Sequence, residues 1–546
     1  MERVSRFLQK YEKWIPVLLV LVFFAVTAPG TDWGLPKRLH PHEVVKYVFL
    51  QLNQGYLFDT EQFLYPSLPK YVLLGIAKVI LWFGGAQPDI YLAARLTSVV
   101  LGGSMVAFTY HLTRRAGGGV FTALFAAMLL ITNSQMAMDA RFAHNDIYLA
   151  FFTTLVVVFL VRYVHTVRRG WLYLAFLSVG MGISSKYNGI PLVAAPLAVF
   201  LYIQWEHLRK DSLRALETIF IGIALTGLGY GLGTPRAVLA ASWYFRRMIP
   251  AFLNSNTYEL APDAVIGLFG QWGTLIEVLG WPVFILSIAA VVLALVRLVR
   301  YYRGKTEDTH GSMQAILVML VVILIVDLPL LVSFLRRPRY TLPMVPLVMV
   351  LVALFVQWVI SRLNARQVSR ALQTGVVVVS LLVLGYSALR VVSIDLLFFN
   401  DARMPAAEYV AALPQDASIE YTLYPPPIDR QYFTNETPYP IHFYKWDEER
   451  EVLAEQGIFY NFGEEGIEKR KPEFFIIDSF TYARLDRDFI CQDHLNECEF
   501  FNRLLAGETN YELVESFTFD LPGYLPQLEP LFLNPDIHIY QRIPGR

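Results

Sequence analysis

Side chains that can exchange a proton or hold an anion recur at the ends of apolar segments along this chain. The first group is His42 and Glu43, in the stretch 38–47, which closely follows the first apolar segment. An imidazole beside a carboxylate suits general base chemistry, in which one group removes a proton from an attacking hydroxyl or amine. Pro41 is typical of the first position of a helix, so Glu43 is expected in the first turn of a helix that ends near Gly55. A simple capping role for Glu43 on a surface helix is the alternative.

Later stretches add mostly cations to this set. Several Lys and Arg side chains at one membrane boundary suit the binding of a phosphate at the lipid surface, because each donates charge-assisted hydrogen bonds. Snorkelling of span-end side chains is the alternative for any single residue. Recurrence in four separate stretches favours the phosphate site. The residues are Lys70; Arg141, His144 and Asp146; Lys186; and Arg336, Arg337, Arg339 and Tyr340.

The composition predicts which kind of protein carries these residues. The chain has 546 residues, of which 55% are hydrophobic and 14% aromatic, and its mean hydropathy is +0.42. This excess of apolar residues predicts a polytopic α-helical membrane protein. Lys plus Arg and Asp plus Glu both number 46, so the net charge gives no argument for a nucleic-acid partner. Two cysteines, Cys491 and Cys498, exclude a disulfide-rich scaffold and a four-cysteine zinc site.

About eleven apolar runs are close to a membrane thickness in length, if some are tilted or slightly extended. Each is a predicted transmembrane helix, and the predicted protein is therefore an integral, multi-pass membrane protein. The runs are 15–28, 92–110, 120–135, 147–161, 171–183, 190–205, 216–233, 275–296, 315–334, 342–360 and 376–392.

The loops between these runs indicate the orientation of the chain. If crossings alternate, every loop on one side contains Arg or Lys, and the positive-inside rule places that side and the N-terminus in the cytoplasm. This solution requires that the run 71–83 does not cross, but lies in the interface or re-enters from the outer side. The titratable residues named above then share the outer face of the membrane.

A change in composition near residue 397 predicts a domain boundary. Residues 1–396 are expected to form the transmembrane domain, whose first external loop, 30–70, carries interfacial helices. Residues 397–546 have shorter apolar runs, more acidic residues and Pro-rich turns, which favours a soluble α/β domain outside the cytoplasm. In that compartment Cys491 and Cys498 either form a disulfide or remain free thiols.

Five short motifs occur in a recognisable order over residues 1–390. Together they resemble the GT-C glycosyltransferases that use polyprenyl-phosphate sugars, in particular the branch with protein O-mannosyltransferases and lipid A aminoarabinose transferases. The chain departs from that family at His42, where Asp is usual, and at Tyr65 and Pro69, where His and Gly are usual. The motifs are His40-Pro-His-Glu-Val-Val-Lys-Tyr47, Tyr65-Pro-Ser-Leu-Pro-Lys70, Asp139-Ala-Arg-Phe-Ala-His-Asn-Asp146, Gly182-Ile-Ser-Ser-Lys-Tyr-Asn-Gly189 and Arg337-Pro-Arg-Tyr-Thr-Leu-Pro343.

The resemblance implies a membrane glycosyltransferase with a GT-C-like fold. It would transfer a sugar from a polyprenyl-phosphate donor to an acceptor protein, lipid or glycan on the extracytoplasmic face, with inversion at the sugar. The catalytic candidates are then Glu43 as the preferred base, His42 as its replacement, and Asp146, which orients the acceptor or shares that role. The candidates for binding the donor phosphate are Lys70, Arg141, Lys186, Arg337, Arg339 and Tyr340.

The resemblance implies neither a nucleotide nor a metal cofactor. The histidines and carboxylates of the outer face are possible ligands of a divalent ion, but their spacing matches no established ligand pattern. Two other classes of function stay open, namely a polytopic transporter or lipid-sugar flippase and a catalytically degenerate accessory subunit. Charges in loops and the absence of a visible repeat favour the enzyme over the transporter. The segment 234–273 is either a lid, an acceptor-binding loop or an amphipathic interfacial segment.

Overall fold

The protein forms two compact units, of which the first is Met1–Thr31 with His42–Val392 and the second Asp32–Pro41 with Ser393–Arg546. The structure is a computed structural model. It describes residues 10–36, 39–54, 63, 65–208, 212–255, 267–305, 311–333, 337–414, 416–422, 424–428, 435–438, 467–468, 471–483, 485, 491 and 495–544. Gly55 and Arg336 lie outside these ranges.

The first unit is built from helices, with short 3-10 segments at Glu12–Trp14, Tyr187–Val193 and Pro338–Met344. The last two precede long helices and place the residues of the site. The helices are α1 (Ile15–Thr27), α2 (Val45–Gln54), α3 (Leu68–Trp82), α4 (Gln87–Arg115), α5 (Val120–Ile131), α6 (Ser134–Asp139), α7 (Asn145–Thr166), α8 (Arg169–Ser185), α9 (Ala194–Leu208), α10 (Ser212–Gly233), α11 (Arg236–Leu239), α12 (Ala241–Ser255), α13 (Leu268–Leu279), α14 (Trp281–Tyr302), α15 (Ser312–Val332), α16 (Val345–Ala365) and α17 (Arg370–Phe399).

Eight helical segments in the described ranges are long and apolar enough to cross a membrane, so the chain is an integral membrane protein. They coincide with eight of the predicted runs. Three further predicted runs form shorter helices, α1 with 13 residues, α5 with 12 and α8 with 17. The predicted polytopic helical fold with a C-terminal α/β region is confirmed, whereas the exact number of crossings stays a prediction. Helix α3 has 15 residues and is not among the eight, and its interfacial placement also stays a prediction.

Glycines bring α8 and α10 into backbone contact. A Cβ atom at Gly180 would lie less than 3.0 Å from the Thr226 carbonyl oxygen. A Cβ atom at Gly229 would likewise lie less than 3.0 Å from the Leu177 carbonyl oxygen. Only residues without a side chain allow two helices to approach so closely. This contact positions the end of α8, after which Lys186 follows in extended conformation.

The second unit contains a five-stranded mixed sheet with the strand order β2-β1-β3-β5-β4. Strand β1 (Ser418–Tyr421) is parallel to β2 (Asn435–Pro438) and β3 (Phe474–Asp478). Strand β5 (Ile537–Arg542) is antiparallel to β3 and to β4 (Tyr511–Phe517). Helices of this unit are α18 (Arg403–Ala411), α19 (Ser479–Tyr482) and α20 (Leu495–Leu505).

Cys491 and Cys498 form a disulfide, with their Cα atoms 5.7 Å apart, which answers the question that the sequence left open. The second unit also includes residues 32–41, which the sequence grouped with the first external loop. In this unit the Trp33 indole N–H donates to Asp401 Oδ2 at 3.1 Å, and Asp401 pairs with Arg403 at 2.8 Å. A segment distant in sequence is therefore held to the second unit by buried polar contacts.

Candidate functional site

Glu43 lies in a turn before α2, and its carboxylate faces Arg95 of α4. Both side chains are fully buried. The Arg95 guanidinium donates from Nε to Oε1 at 2.8 Å and from Nη2 to Oε2 at 3.0 Å. The Ala143 N–H donates to the same Oε1 at 3.2 Å. Such a bidentate pair with a third donor occupies most of the acceptor capacity of a carboxylate.

The prediction that Pro41 begins the helix and that Glu43 lies in its first turn is wrong, because α2 begins at Val45. The carboxylate binds the guanidinium and a distant amide instead of the N–H groups of a helix. Arg95 lies in the interior of an apolar helix, so its sequence position gave no sign of this partner.

Two backbone segments are joined at Glu43. The Val44 N–H donates to the Ala143 carbonyl oxygen at 2.9 Å, next to the contact between Ala143 and the Glu43 carboxylate. This joint brings the preceding His42 close to His144, and the two ring centroids are 6.4 Å apart. Glu43 therefore helps to place both imidazoles.

Asp146, in the first turn of α7, is the centre of a buried charged cluster. The Lys186 ammonium lies 2.5 Å from Oδ1, and His144 Nδ1 lies 2.5 Å from Oδ2. Arg339 Nε is 3.7 Å from Oδ2, too far for a direct hydrogen bond. The three partners come from the end of α8, the residue that caps α7, and the 3-10 segment before α16. The structure thus brings together the predicted residues Asp146, Lys186 and Arg339.

Tyr340 presents its ring to two of these cations. The Lys186 ammonium is 3.9 Å from the ring centroid, and the Arg339 guanidinium carbon is 5.8 Å from it. Both distances fall in the range of cation–π attraction. The Tyr340 ring therefore stabilises the positive charges of Lys186 and Arg339.

The imidazoles of His42 and His144 are held in the neutral form. Burial, with smaller contributions from Arg339, His144, Lys46 and Arg337, lowers the pKa of His42 to about 2. Burial also lowers the pKa of His144, although Asp146 opposes this shift. His144 Nδ1 accepts a hydrogen bond from the Asp146 N–H at 3.3 Å, as the cap of α7. Lys46 and Arg337 thus add a small positive potential at the His42 ring.

Lys70 and Tyr65 extend the cluster towards α2 and α3. The buried Lys70 ammonium donates to the Tyr65 carbonyl oxygen at 3.2 Å and lies 5.2 Å from the centroid of the Tyr47 ring. Burial raises the pKa of the Tyr65 phenol, while Arg339 lowers it and Tyr340, Asp146 and Tyr47 raise it. A phenol that stays protonated is a hydrogen-bond donor. From the sequence, Tyr65 was only a departure from a motif, so its role beside these charges was missed.

Arg141, which the sequence assigned to phosphate binding, contacts the end of α1. Its buried guanidinium donates to the carbonyl oxygens of Pro29 at 2.9 Å and Val26 at 3.1 Å, both at the end of α1. These contacts satisfy backbone acceptors that a helix end leaves without partners. Arg141 therefore anchors α1 to the segment after α6, and its phosphate contact stays a prediction.

Asp139, at the end of α6, is a carboxyl group that the sequence did not single out for chemistry. It is buried and accepts one hydrogen bond from Gln135 Nε2 at 2.7 Å. Burial raises its pKa to about 7, with Gln135 opposing and Asp146 reinforcing the shift. Its position in the same motif as Asp146 was the available signal.

The described ranges contain no group of three or more His, Cys, Asp or Glu side chains placed to hold a metal ion. The expectation that the protein needs no metal cofactor stays a prediction.

Comparisons with known proteins agree with this architecture. Residues 78–258 match the family model of dolichyl-phosphate-mannose-protein mannosyltransferase. No curated protein sequence matches the chain. ArnT from Cupriavidus metallidurans bound to undecaprenyl phosphate is similar in structure, with a TM-score of 0.51 and 14% identity over 96% of this chain and 98% of that chain.

A second solved structure is the oligosaccharyltransferase of Archaeoglobus fulgidus tethered with an acceptor peptide that contains the NVT sequon. Its TM-score is 0.52, with 13% identity over 90% of this chain and 72% of that chain. Identities this low show a shared fold. The predicted resemblance to the GT-C glycosyltransferases that use polyprenyl-phosphate sugars is therefore confirmed as a shared fold.

Proposed function

We propose that this protein transfers a sugar from a polyprenyl-phosphate donor to a hydroxyl or amine of an acceptor protein, lipid or glycan. The main support for this proposal is an excess of positively charged over negatively charged side chains around Asp146. Lys186 and Arg339, two cations, both face that single carboxylate. A phosphate of the donor would neutralise this surplus.

Within the described ranges, two further carboxyl groups near Asp146 do not cancel the charges of Lys186 and Arg339. The charge of Glu43 is matched by Arg95 at 2.8 Å. Asp139, with its pKa raised to about 7, carries on average only part of a negative charge near neutral pH. Uncompensated charge is costly to bury, so the arrangement favours occupation by an anion.

Two related structures support a lipid phosphate as that anion. ArnT from Cupriavidus metallidurans is bound to undecaprenyl phosphate, and an Archaeoglobus fulgidus AglB structure, with a TM-score of 0.50, contains a dolichol-phosphate. A polyprenyl-phosphate sugar has the same chemical group at its leaving end.

The site suits a single displacement at the anomeric carbon. An acceptor oxygen or nitrogen forms the new bond on one face of the sugar while the bond to the phosphate oxygen breaks on the other, which inverts the configuration. Negative charge grows on the departing phosphate, and Lys186, Arg339 and Lys70 stabilise it. The Tyr65 phenol is a further donor beside them. The proton of the acceptor passes to a base.

We assign this base to His42 and a positioning role to Glu43. The Glu43 carboxylate is held by Arg95 and by the Ala143 N–H, so it has little capacity left for an acceptor proton. His42 is a neutral imidazole, and the unprotonated nitrogen of such a ring can accept a proton. Burial is the main cause of the lowered pKa of His42, and a bound phosphate would offset the smaller effects of Arg339 and Arg337. Asp146 orients Lys186 and His144.

Transfer by the full-length protein in lipid nanodiscs, with a radiolabelled polyprenyl-phosphate sugar, tests this function. Lys186→Met and Arg339→Met are each expected to lower the rate about 10²–10³-fold, as removal of a charge-stabilising donor does in other enzymes. Lys78→Met is the matched control, because Lys78 is an exposed lysine of α3. Rates of Lys186→Met and Arg339→Met equal to that of Lys78→Met would refute the phosphate site.

We further propose that the site and the C-terminal unit face the extracytoplasmic side, since the loops assigned to the other side are all basic. A single cysteine at Leu513, an exposed position of β4, reports on this orientation. Labelling of Leu513→Cys in intact cells by a membrane-impermeant maleimide is expected. Labelling only after permeabilisation would reverse the topology.

A further inference from the structure

Helices α11 and α12 expose a set of large apolar side chains outside the predicted membrane spans. Val238 and Leu239 are 67% and 69% exposed, and Phe245 and Ile249 are 38% and 50% exposed. Phe245 and Ile249 are four residues apart and therefore lie on one face of α12. An exposed apolar face on a helix beside a span is typical of an element that lies in the membrane interface.

The same two helices carry three arginines and no carboxylate. Between residues 234 and 255 the charged side chains are Arg236, Arg246 and Arg247. The guanidinium carbons of Arg236 and Arg247 lie 4.6 Å and 4.3 Å from the centroid of the Trp243 ring. An indole flanked by guanidinium groups is suited to the headgroup level of a bilayer.

Helix α12 is fixed to the rest of the first unit by tyrosines. The Tyr244 hydroxyl is buried and lies 2.8 Å from the Tyr187 hydroxyl and 3.0 Å from the Tyr230 hydroxyl. Tyr230 belongs to α10, which ends at Gly233, just before α11. Tyr187 directly follows Lys186 of the site. The orientation of α12 is thus set by the end of a membrane span and by the segment that carries Lys186.

We propose that α11 and α12 form a binding surface for the headgroups of anionic phospholipids of the bilayer. The apolar side chains enter the acyl region, and the three arginines pair with phosphates of the leaflet. Charge complementarity favours anionic over zwitterionic lipids, because each cation near an anionic surface adds to the attraction. The surface would keep acidic lipids beside the segment that carries Lys186.

Lipid-specific fluorescence quenching tests this inference on the full-length protein. Both native cysteines are joined in the disulfide, so Ile249→Cys provides a unique thiol for a bimane label. The nanodiscs contain phosphatidylcholine and phosphatidylglycerol, with a doxyl quencher on the acyl chain of one or the other, and no polyprenyl phosphate. We expect quenching in both cases, and about twofold stronger quenching when the anionic lipid carries the doxyl group.

The double variant Arg246→Gln with Arg247→Gln is expected to abolish the stronger quenching by the anionic lipid. The double variant Arg246→Lys with Arg247→Lys keeps both charges and is expected to retain it. Phe220→Cys, exposed on the span α10, is the control for contact with lipid of either kind. Leu513→Cys is exposed on β4 of the unit that we predict to be soluble, and it is the control outside the bilayer. Quenching of Ile249→Cys as weak as that of Leu513→Cys would refute an interfacial helix. Equal quenching by both lipids would refute headgroup selection.

Discussion

Replacing Glu43 by glutamine removes the negative charge that faces Arg95 in a fully buried pair. Three hydrogen bonds converge on the carboxylate, two from the guanidinium and one from the Ala143 N–H. Glutamine keeps one acceptor oxygen but leaves the guanidinium without a counter-charge. Removing one partner of a buried ion pair costs about 3–5 kcal/mol, so we expect Glu43→Gln to lower the free energy of unfolding by that amount.

Unfolding by sodium dodecyl sulfate in mixed micelles measures this loss. The double variant Glu43→Gln with Arg95→Gln is expected to recover much of it, because no charge is then buried alone. Glu12→Gln is the matched control. Glu12 pairs with Arg114 at 2.6 Å in a partly exposed site, where an ion pair contributes about 0–1 kcal/mol.

The same variants separate the two roles of Glu43. If it is a positioning residue, folded Glu43→Gln retains measurable sugar transfer, and His42→Gln is the variant that loses it. If Glu43 is the base, Glu43→Gln loses about 10²–10⁴-fold in rate with its stability unchanged. If Glu43→Gln is as stable as the wild type but has lost sugar transfer, the assignment of the base to His42 is refuted.

Three further perturbations follow from the structure. The pKa of His42 is lowered in the folded protein, so the unfolded state binds more protons below the ordinary histidine pKa of 6.5. The free energy of unfolding of the wild type should therefore fall as the pH is lowered from 6.5 to 5, by up to about 1.4 kcal/mol per pH unit. In His42→Gln this fall should be smaller. Asp401→Asn leaves the buried Arg403 without its counter-charge and is expected to lower the free energy of unfolding of the second unit by about 3–5 kcal/mol. Asp520→Asn, at an exposed position, is the control for this measurement. Gly180→Ala forces α8 away from α10 and is expected to cost about 1–3 kcal/mol, whereas Gly170→Ala, which has open space around it, should unfold like the wild type.

Local properties of the sequence predicted the class of the protein and the identity of most site residues. Long apolar runs specify membrane helices because a helix must satisfy its own backbone in lipid. The change in composition near residue 397 predicted the α/β unit, and its sheet is observed. Titratable residues at the ends of apolar runs identified Asp146, Lys186 and Arg339, which the structure brings together.

Only the tertiary structure decided which charges pair. Glu43 and Arg95 are 52 positions apart, and Asp146 and Lys186 are 40 apart. Arg141 and Arg339 both lie near the ends of apolar segments in the sequence. In the structure Arg141 donates to a carbonyl oxygen at the end of a helix, whereas Arg339 faces Asp146. Periodicity and composition act within one segment and determine that it is a helix. Pairing depends on which segments pack together, and the cost of burying a charge then selects its partner.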